Sequence, residues 1–443
     1  MEFTPWTLLV DLGLAALLLL AGQIARAQLR PVQKLFLPAS VIGGVLGLGL
    51  GTGGLGWLPF SGHIGAYPGI LIALIFVTLP FAAAPAARRA VGRNVVELFA
   101  YSTLTSMLQW GVGLAFALGV LSLVWTDLHP GFGTILAAGF IGGHGTAAVV
   151  GTTYAQLGWP AAGPLAMTAA TVGIVAAIIG GMAWIRWGAQ QGAARLVAPF
   201  DELPGGLRTG LLPDGEQRPL GQETVAANTI DPLAMHLALV GAVALAGYWI
   251  AQGTGQWLGH FRLPTFVGAF LLAVACRVLL RKVGALRYVD RRTMVRLGGT
   301  CTDFLVVYGI AAIDLAILIE YAYPLAALMV CGIAVNALMF FLWGPRAFGE
   351  YWFEKSLYTW GWVNGVMAMA IALLRIVDAE GESHLLDDFA VAYVGFGPIE
   401  VALVALAPIL VSQGQGWPLA AAALAIAAVI FVLVPRIVRR GAG

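Results

Sequence analysis

Charge is what this chain has least of. Asp, Glu, Lys and Arg make up 10% of its 443 residues, against roughly 25% in soluble domains. That scarcity excludes an ordinary soluble fold. A formal net charge of +2 gives no reason to expect a nucleic-acid partner. Cysteine is scarce too: Cys276, Cys301 and Cys331 stand apart, with no CxxC or Cys/His spacing. They read as small packing residues in apolar helices rather than a metal or redox motif. Motifs of hydrolytic chemistry are also missing; GxSG, GxGD and HExxH do not occur, so no enzyme and no cofactor is expected. The N-terminus lacks the basic leader of a signal peptide, since Glu2 is the only charge before Asp11. Residues 6–24 therefore read as a retained first span.

What is present is apolar sequence, 60% of the chain, in runs near the 20 residues that a bilayer requires. The runs predict helices at 6–25, 36–53, 67–86, 95–125 and 163–187, then at 233–252, 263–280, 303–319, 322–344 and 388–412, with one more at 417–436. The fold class expected is an all-α membrane protein of two inverted-topology repeats. Each repeat has five transmembrane helices and one re-entrant hairpin, and the extra C-terminal helix makes about 11 spans. Residues 1–187 form the first repeat with its hairpin at 133–153, and 232–412 the second with its hairpin at 356–377. Between them, 188–231 is a Pro- and Gly-rich cytoplasmic linker, and 413–443 adds a helix and a short cytoplasmic tail. Leu37-Pro38 and Leu263-Pro264 open the second helix of each half, and the residue before proline is biased away from helix. Basic residues fix the orientation. With hairpins that enter and leave on one side, the clusters Arg26/Arg30/Lys34, Arg88/Arg89/Arg93 and Arg281–Arg296 all fall in the cytoplasm. The N-terminus is then outside and the C-terminus cytoplasmic, in the cell (inner) membrane. Asp11, Asp303 and Asp314 read as interfacial, the last two near opposite ends of one helix.

Two apolar segments are broken at their centres, 139–148 and 360–368. Non-helical backbone survives at membrane depth only inside protein or beside a watery cavity, and paired breaks in matching halves point to a transporter's site. In the first, Gly142, Gly143 and Gly145 allow carbonyls and amides to face a ligand. Their carbonyls and the Thr146 hydroxyl are hard oxygen donors suited to sodium. The helix that resumes there offers its N-terminus to an anion. His144 has three roles open: substrate ligand, proton shuttle or bond to a carbonyl. Thr168 and Thr171 face this break or bond back to their own helix. In the second break, Gly361 and Gly365 echo the glycines, and Asn364 offers donor and acceptor together. Arg375, in an apolar run, would grip a carboxylate, pair with Asp378 or snorkel to water. Glu400 would hold a cation, carry a proton or pair with Arg375.

Gly142-Gly143-His144-Gly145-Thr146-Ala147-Ala148, followed by Thr168-Ala169-Ala170-Thr171-Val172-Gly173, resembles the sodium/glutamate symporter family. The Leu37-Pro38-Ala39 opening and the inverted halves are similar as well, and the resemblance extends over roughly 6–412. It implies sodium-coupled uptake of a dicarboxylic amino acid, hairpin tips that meet at the site, a homodimer and an elevator-like motion. The match is weaker at the second tip. There Gly365-Val366-Met367-Ala368-Met369 lacks the hydroxyls usual in the family, and Leu403 stands near its expected asparagine. The expected function is a secondary active transporter, a sodium symporter of glutamate or a related small organic anion. A proton-coupled or exchange carrier for another small anion is the alternative. From another class comes the membrane subunit of a sodium-pumping decarboxylase-type complex.

Overall fold

The computed structural model describes residues 4–35, 37–82, 92–193, 206, 209–257, 265–378 and 383–440, and all regular structure among them is helical. The longer helices are α1 (Pro5–Gln28), α2 (Ala39–Leu50), α3 (Tyr67–Ala82), α4 (Arg93–Phe116), α5 (Thr134–Phe140), α6 (Gly143–Gln156) and α7 (Ala162–Gln190). They continue with α8 (Pro232–Trp257), α9 (Thr265–Lys282), α10 (Arg291–Ala311), α11 (Ala322–Leu338), α12 (Trp352–Val377), α13 (Leu385–Ser412) and α14 (Gly416–Arg440). Nine described stretches are long and apolar enough to cross a membrane, and the chain is a multi-pass membrane protein. Of the 11 helices expected, α2 falls short with 12 residues, and α9 carries Arg277, Arg281 and Lys282 toward its end.

One expected helix is misplaced. Instead of 303–319, α10 starts at Arg291, capped by Asp290, whose side chain accepts from Thr293 N at 2.8 Å. It ends at Ala311, so Asp303 lies mid-helix and Asp314 belongs to another element. Asp314 caps the short helix Leu315–Glu320, accepting from Ala316 N at 2.8 Å. An aspartate that caps a helix start restarts the chain rather than continuing it.

The chain divides into two compact units, and each draws on both halves of the sequence. The first comprises Met1–Gly22, Ala39–Ala87 and Leu212–Ala312. Here α1 crosses α2 where Gly22 and Gly43 approach, and α8 crosses α9 where Gly247 and Gly268 approach. In each crossing a Cβ would strike the other backbone. Both pairs are 21 residues apart in sequence. Small residues let membrane helices close to van der Waals distance, where packing and not the hydrophobic effect holds them. Asp11 is wholly buried in this unit. Its carboxylate accepts from Ser61 N at 2.9 Å, Ser61 Oγ at 2.5 Å and Tyr67 Oη at 2.8 Å, the donors that a buried charge requires.

The second unit comprises Gln23–Pro38, Arg88–Leu211 and Ile313–Gly443 and contains both broken segments. The helix before each break widens into a π-type turn, Ala117–Leu121 after α4 and Met339–Trp343 after α11. The additional helix α14 packs along α4: a Cβ on Gly111 would lie 3.1 Å from Leu424 N, and Trp343 Nε1 donates to Phe431 O at 3.3 Å.

Candidate functional site

The first break lies at Ile141-Gly142, between α5 and α6. Gly142 precedes α6, and a Cβ there would collide with the Thr146 side chain. Gly143 adopts φ +59, a left-handed conformation that costs other residues about 1–2 kcal/mol. The chain then doubles back. Thr134 Oγ1 and Tyr154 Oη, from the far ends of the two arms, are hydrogen-bonded at 3.1 Å. Just outside, the His129 ring stacks on Trp159 with centroids 4.2 Å apart, and His129 Nδ1 accepts from Gly131 N at 3.0 Å.

The second break interrupts α12 at Gly365 (φ −143, ψ 31) and Val366 (φ 72, ψ 164). That second conformation is tolerated essentially only by glycine and costs about 1–3 kcal/mol. Here too the arms fold together, since a Cβ on Gly361 would lie 2.6 Å from Ala370 Cα. In a straight helix those residues would be about 13 Å apart.

The two breaks meet. A Cβ on Gly143 would run into Val366 Cγ1. Helix α7 receives both through its small residues. Gly139 lies against Ala169 and Ala170, Gly173 against the Asn364 carbonyl, and Gly365 against Ile174 and Ala177. Trp360 Nε1 fixes the first arm of α12 to the Ala177 carbonyl at 3.0 Å.

His144 is buried, 3% exposed, with Nε2 3.1 Å from Thr171 Oγ1. The Thr171 hydroxyl donates its one proton to Met167 O at 3.1 Å, so it accepts from His144, which carries its proton on Nε2. Thr168 bonds back to Pro164 O at 2.9 Å. Gly145 and Thr146 are partly exposed, and the space in front of Gly145 is open.

Asn364 is wholly buried and sits in an amide relay. Its Nδ2 donates to Trp360 O at 2.9 Å, and its Oδ1 accepts from Asn336 Nδ2 at 2.9 Å. Gln109 Nε2 donates to the neighbouring Val363 carbonyl at 2.7 Å. The first arm is also anchored at its root. Buried Lys355 lies 3.2 Å from Glu97 Oε2 and donates to Asn94 Oδ1 at 2.9 Å, while Arg93 Nε holds Glu97 Oε1 at 2.8 Å.

The structure thus brings Gly143, His144, Thr171, Asn364 and Gly365 around one point, with Gly142, Gly145 and Thr146 beside it and Gly361 in the arm below. Glu400 is bonded to Tyr393, whose hydroxyl donates to Oε2 at 3.0 Å. The Arg375 side chain lies outside the described residues; its backbone continues α12. Sequence reasoning missed Val366, Gln109 and Asn336. The signal for the last two was available: each is an amide inside an expected span, where a polar group needs a partner.

A family model for sodium/glutamate symporters matches residues 7–352, which include the first break and stop at the first residue of α12. The expected resemblance ran further, to 412. Among curated proteins and solved structures no match was found.

Proposed function

The chain belongs to the sodium/glutamate symporter family, and from that premise we propose a secondary active transporter that moves glutamate or a related small carboxylate together with sodium. One observation carries the reading: two broken helices double back and meet, with polar side chains buried at the meeting point. In this reading both are re-entrant hairpins of inverted repeats, entering the bilayer from opposite sides. The substrate carboxylate sits at the N-terminus of the 14-residue helix α6, where unpaired amides and the helix dipole favour an anion. Sodium takes carbonyl oxygens of Gly142, Gly143 and Gly145 and the hydroxyl of Thr146, on the open side of the break. His144, held by Thr171, and Asn364 supply fixed polar groups. Arg375 grips the second carboxylate, and Glu400 balances charge nearby. A homodimer, an elevator-like motion of the hairpin-bearing unit and an inner-membrane location complete the family's pattern.

The test is thermal stability of the purified protein against a panel of small carboxylates, each with sodium or choline. A ligand that binds only the folded state raises stability by mass action. A sodium-dependent rise with glutamate or aspartate is the expected result. A rise that ignores sodium and follows pH would replace this reading with a proton-coupled carrier.

A further inference from the structure

Two buried oxygens beside the second break have no hydrogen-bond partner, Gln109 Oε1 and Asn336 Oδ1. Both residues are enclosed, at 0% and 3% exposure. Their orientation follows from the bonds around them. The carbonyl of Trp360 can only accept, so Asn364 must turn its Nδ2 to it and present Oδ1 to Asn336. Asn336 answers with Nδ2, and its oxygen is left facing away. The Val363 carbonyl likewise can only accept, so Gln109 gives it Nε2 and keeps Oε1 free. Flipping either amide would set oxygen against oxygen. A buried acceptor left unsatisfied costs about 1–3 kcal/mol, and here there are two, leaning on the consecutive residues Val363 and Asn364.

A third orphan, Ser106 Oγ, lies one turn before Gln109 on the same face of α4 and is fully buried, and Ser102 Oγ, one turn further back, is orphaned as well. Its neighbours Thr103 and Thr105 behave differently, donating back to Phe99 O at 2.7 Å and Tyr101 O at 2.9 Å. The set is therefore rich in neutral oxygen acceptors and contains no carboxylate. Divalent cations held in proteins take carboxylates, and among the described residues no cluster of three or more His, Cys, Asp or Glu could hold a metal. Rings of neutral oxygens instead replace the hydration shell of monovalent ions.

We infer that Gln109 Oε1, Asn336 Oδ1 and Ser106 Oγ form a site for a desolvated monovalent cation, sodium, against the first arm of α12. The site is separate from the carbonyls of the first break. It rests on the transporter reading for its role in coupling, but its chemistry stands on the orphaned oxygens alone. Each break then has its own cation, and binding at Gln109 and Asn336 stiffens the arm that the same two amides grip.

The test is sodium binding to the purified full-length protein without substrate, read as the rise in thermal stability along a sodium titration, with potassium and choline as controls. Gln109→Leu and Asn336→Leu are expected to raise the sodium midpoint about tenfold or abolish the rise. Where a leucine variant folds poorly, Gln109→Glu keeps the side-chain shape and adds charge, and a midpoint lowered about tenfold is expected. Unchanged midpoints in these variants would overturn the site even where sodium-dependent glutamate stabilisation persists, so the symport reading can survive its failure. Stabilisation by glutamate but not by glutarate, lost in the variants without any sodium response, would also overturn it, assigning the oxygens to a substrate ammonium.

Discussion

At the scale of single residues, the site turns on one contact, Gly143 against Val366. A methyl at Gly143 meets two penalties: the positive φ, about 1–2 kcal/mol, and overpacking, about 1–3 kcal/mol. The Val366 Cβ itself would lie 3.6 Å away, an ordinary distance, so only Cγ1 is in the way. Gly143→Ala is therefore expected to lower thermal stability and transport together, and Val366→Ala to recover part of both in the double variant. Additive losses in the double-mutant cycle would show that the two breaks do not touch. The break at Gly142 and Gly143 was legible in the sequence because the glycines cluster around a polar His144 inside an apolar run. Val366 was not, since local preference argues against a β-branched residue at positive φ; only packing around the break imposes it. Gln109 and Asn336 were passed over for the opposite reason. Their residue types are common, and their meaning lies in which atom is left unpaired.

Among the elements, the approach to α5 carries a pH-sensitive fastening. His129 Nδ1 accepts the Gly131 amide, so that nitrogen must be unprotonated. Burial holds the imidazole below the usual histidine range. A base whose folded value is lowered contributes stability in full above its ordinary value, and loses it as pH falls through the lower folded value. Protonation turns the acceptor into a donor and breaks the bond that caps the 3-10 turn Pro130–Gly133 leading into α5. Thermal stability is expected to fall from neutral to mildly acidic pH, and His129→Phe, which keeps the stack on Trp159, should flatten part of that fall. An identical pH profile in the variant would remove His129 from this role. Helix order and most boundaries were readable from apolar runs. The start of α10 was not, because Arg291, Arg292 and Arg296 look like loop. The capping signal was nonetheless there, Asp290 three residues before Thr293.

For the whole molecule, the division into units follows a rule that sequence order conceals. The opening helices of both halves, α1 to α3 and α8 to α10, fall largely in one unit; the later ones, with both breaks and α14, fall in the other. Apolar periodicity reports burial and not neighbours, so this partition is set by contacts across hundreds of residues. The orientation argued from basic residues is testable at the same scale. Single cysteines at Arg287 and at Trp57, in a cysteine-free background, are expected to react with an impermeant thiol reagent from the cytoplasmic and the outer side respectively. The reverse pattern would invert the topology.

The two arms of α12 differ in the kind of force that holds them. Up to Asn364 the arm is fixed by directional bonds, from Lys355 to Glu97, Trp360 to Ala177, Val363 to Gln109 and Asn364 to Asn336. Beyond Val366 the described side chains as far as Val377 are apolar. Polar bonds fix direction as well as distance, whereas the apolar arm is held by the summed contacts of close packing. In mechanical terms α12 is two arms of unlike fastening joined at Val366, the first pinned by bonds and the second by close packing.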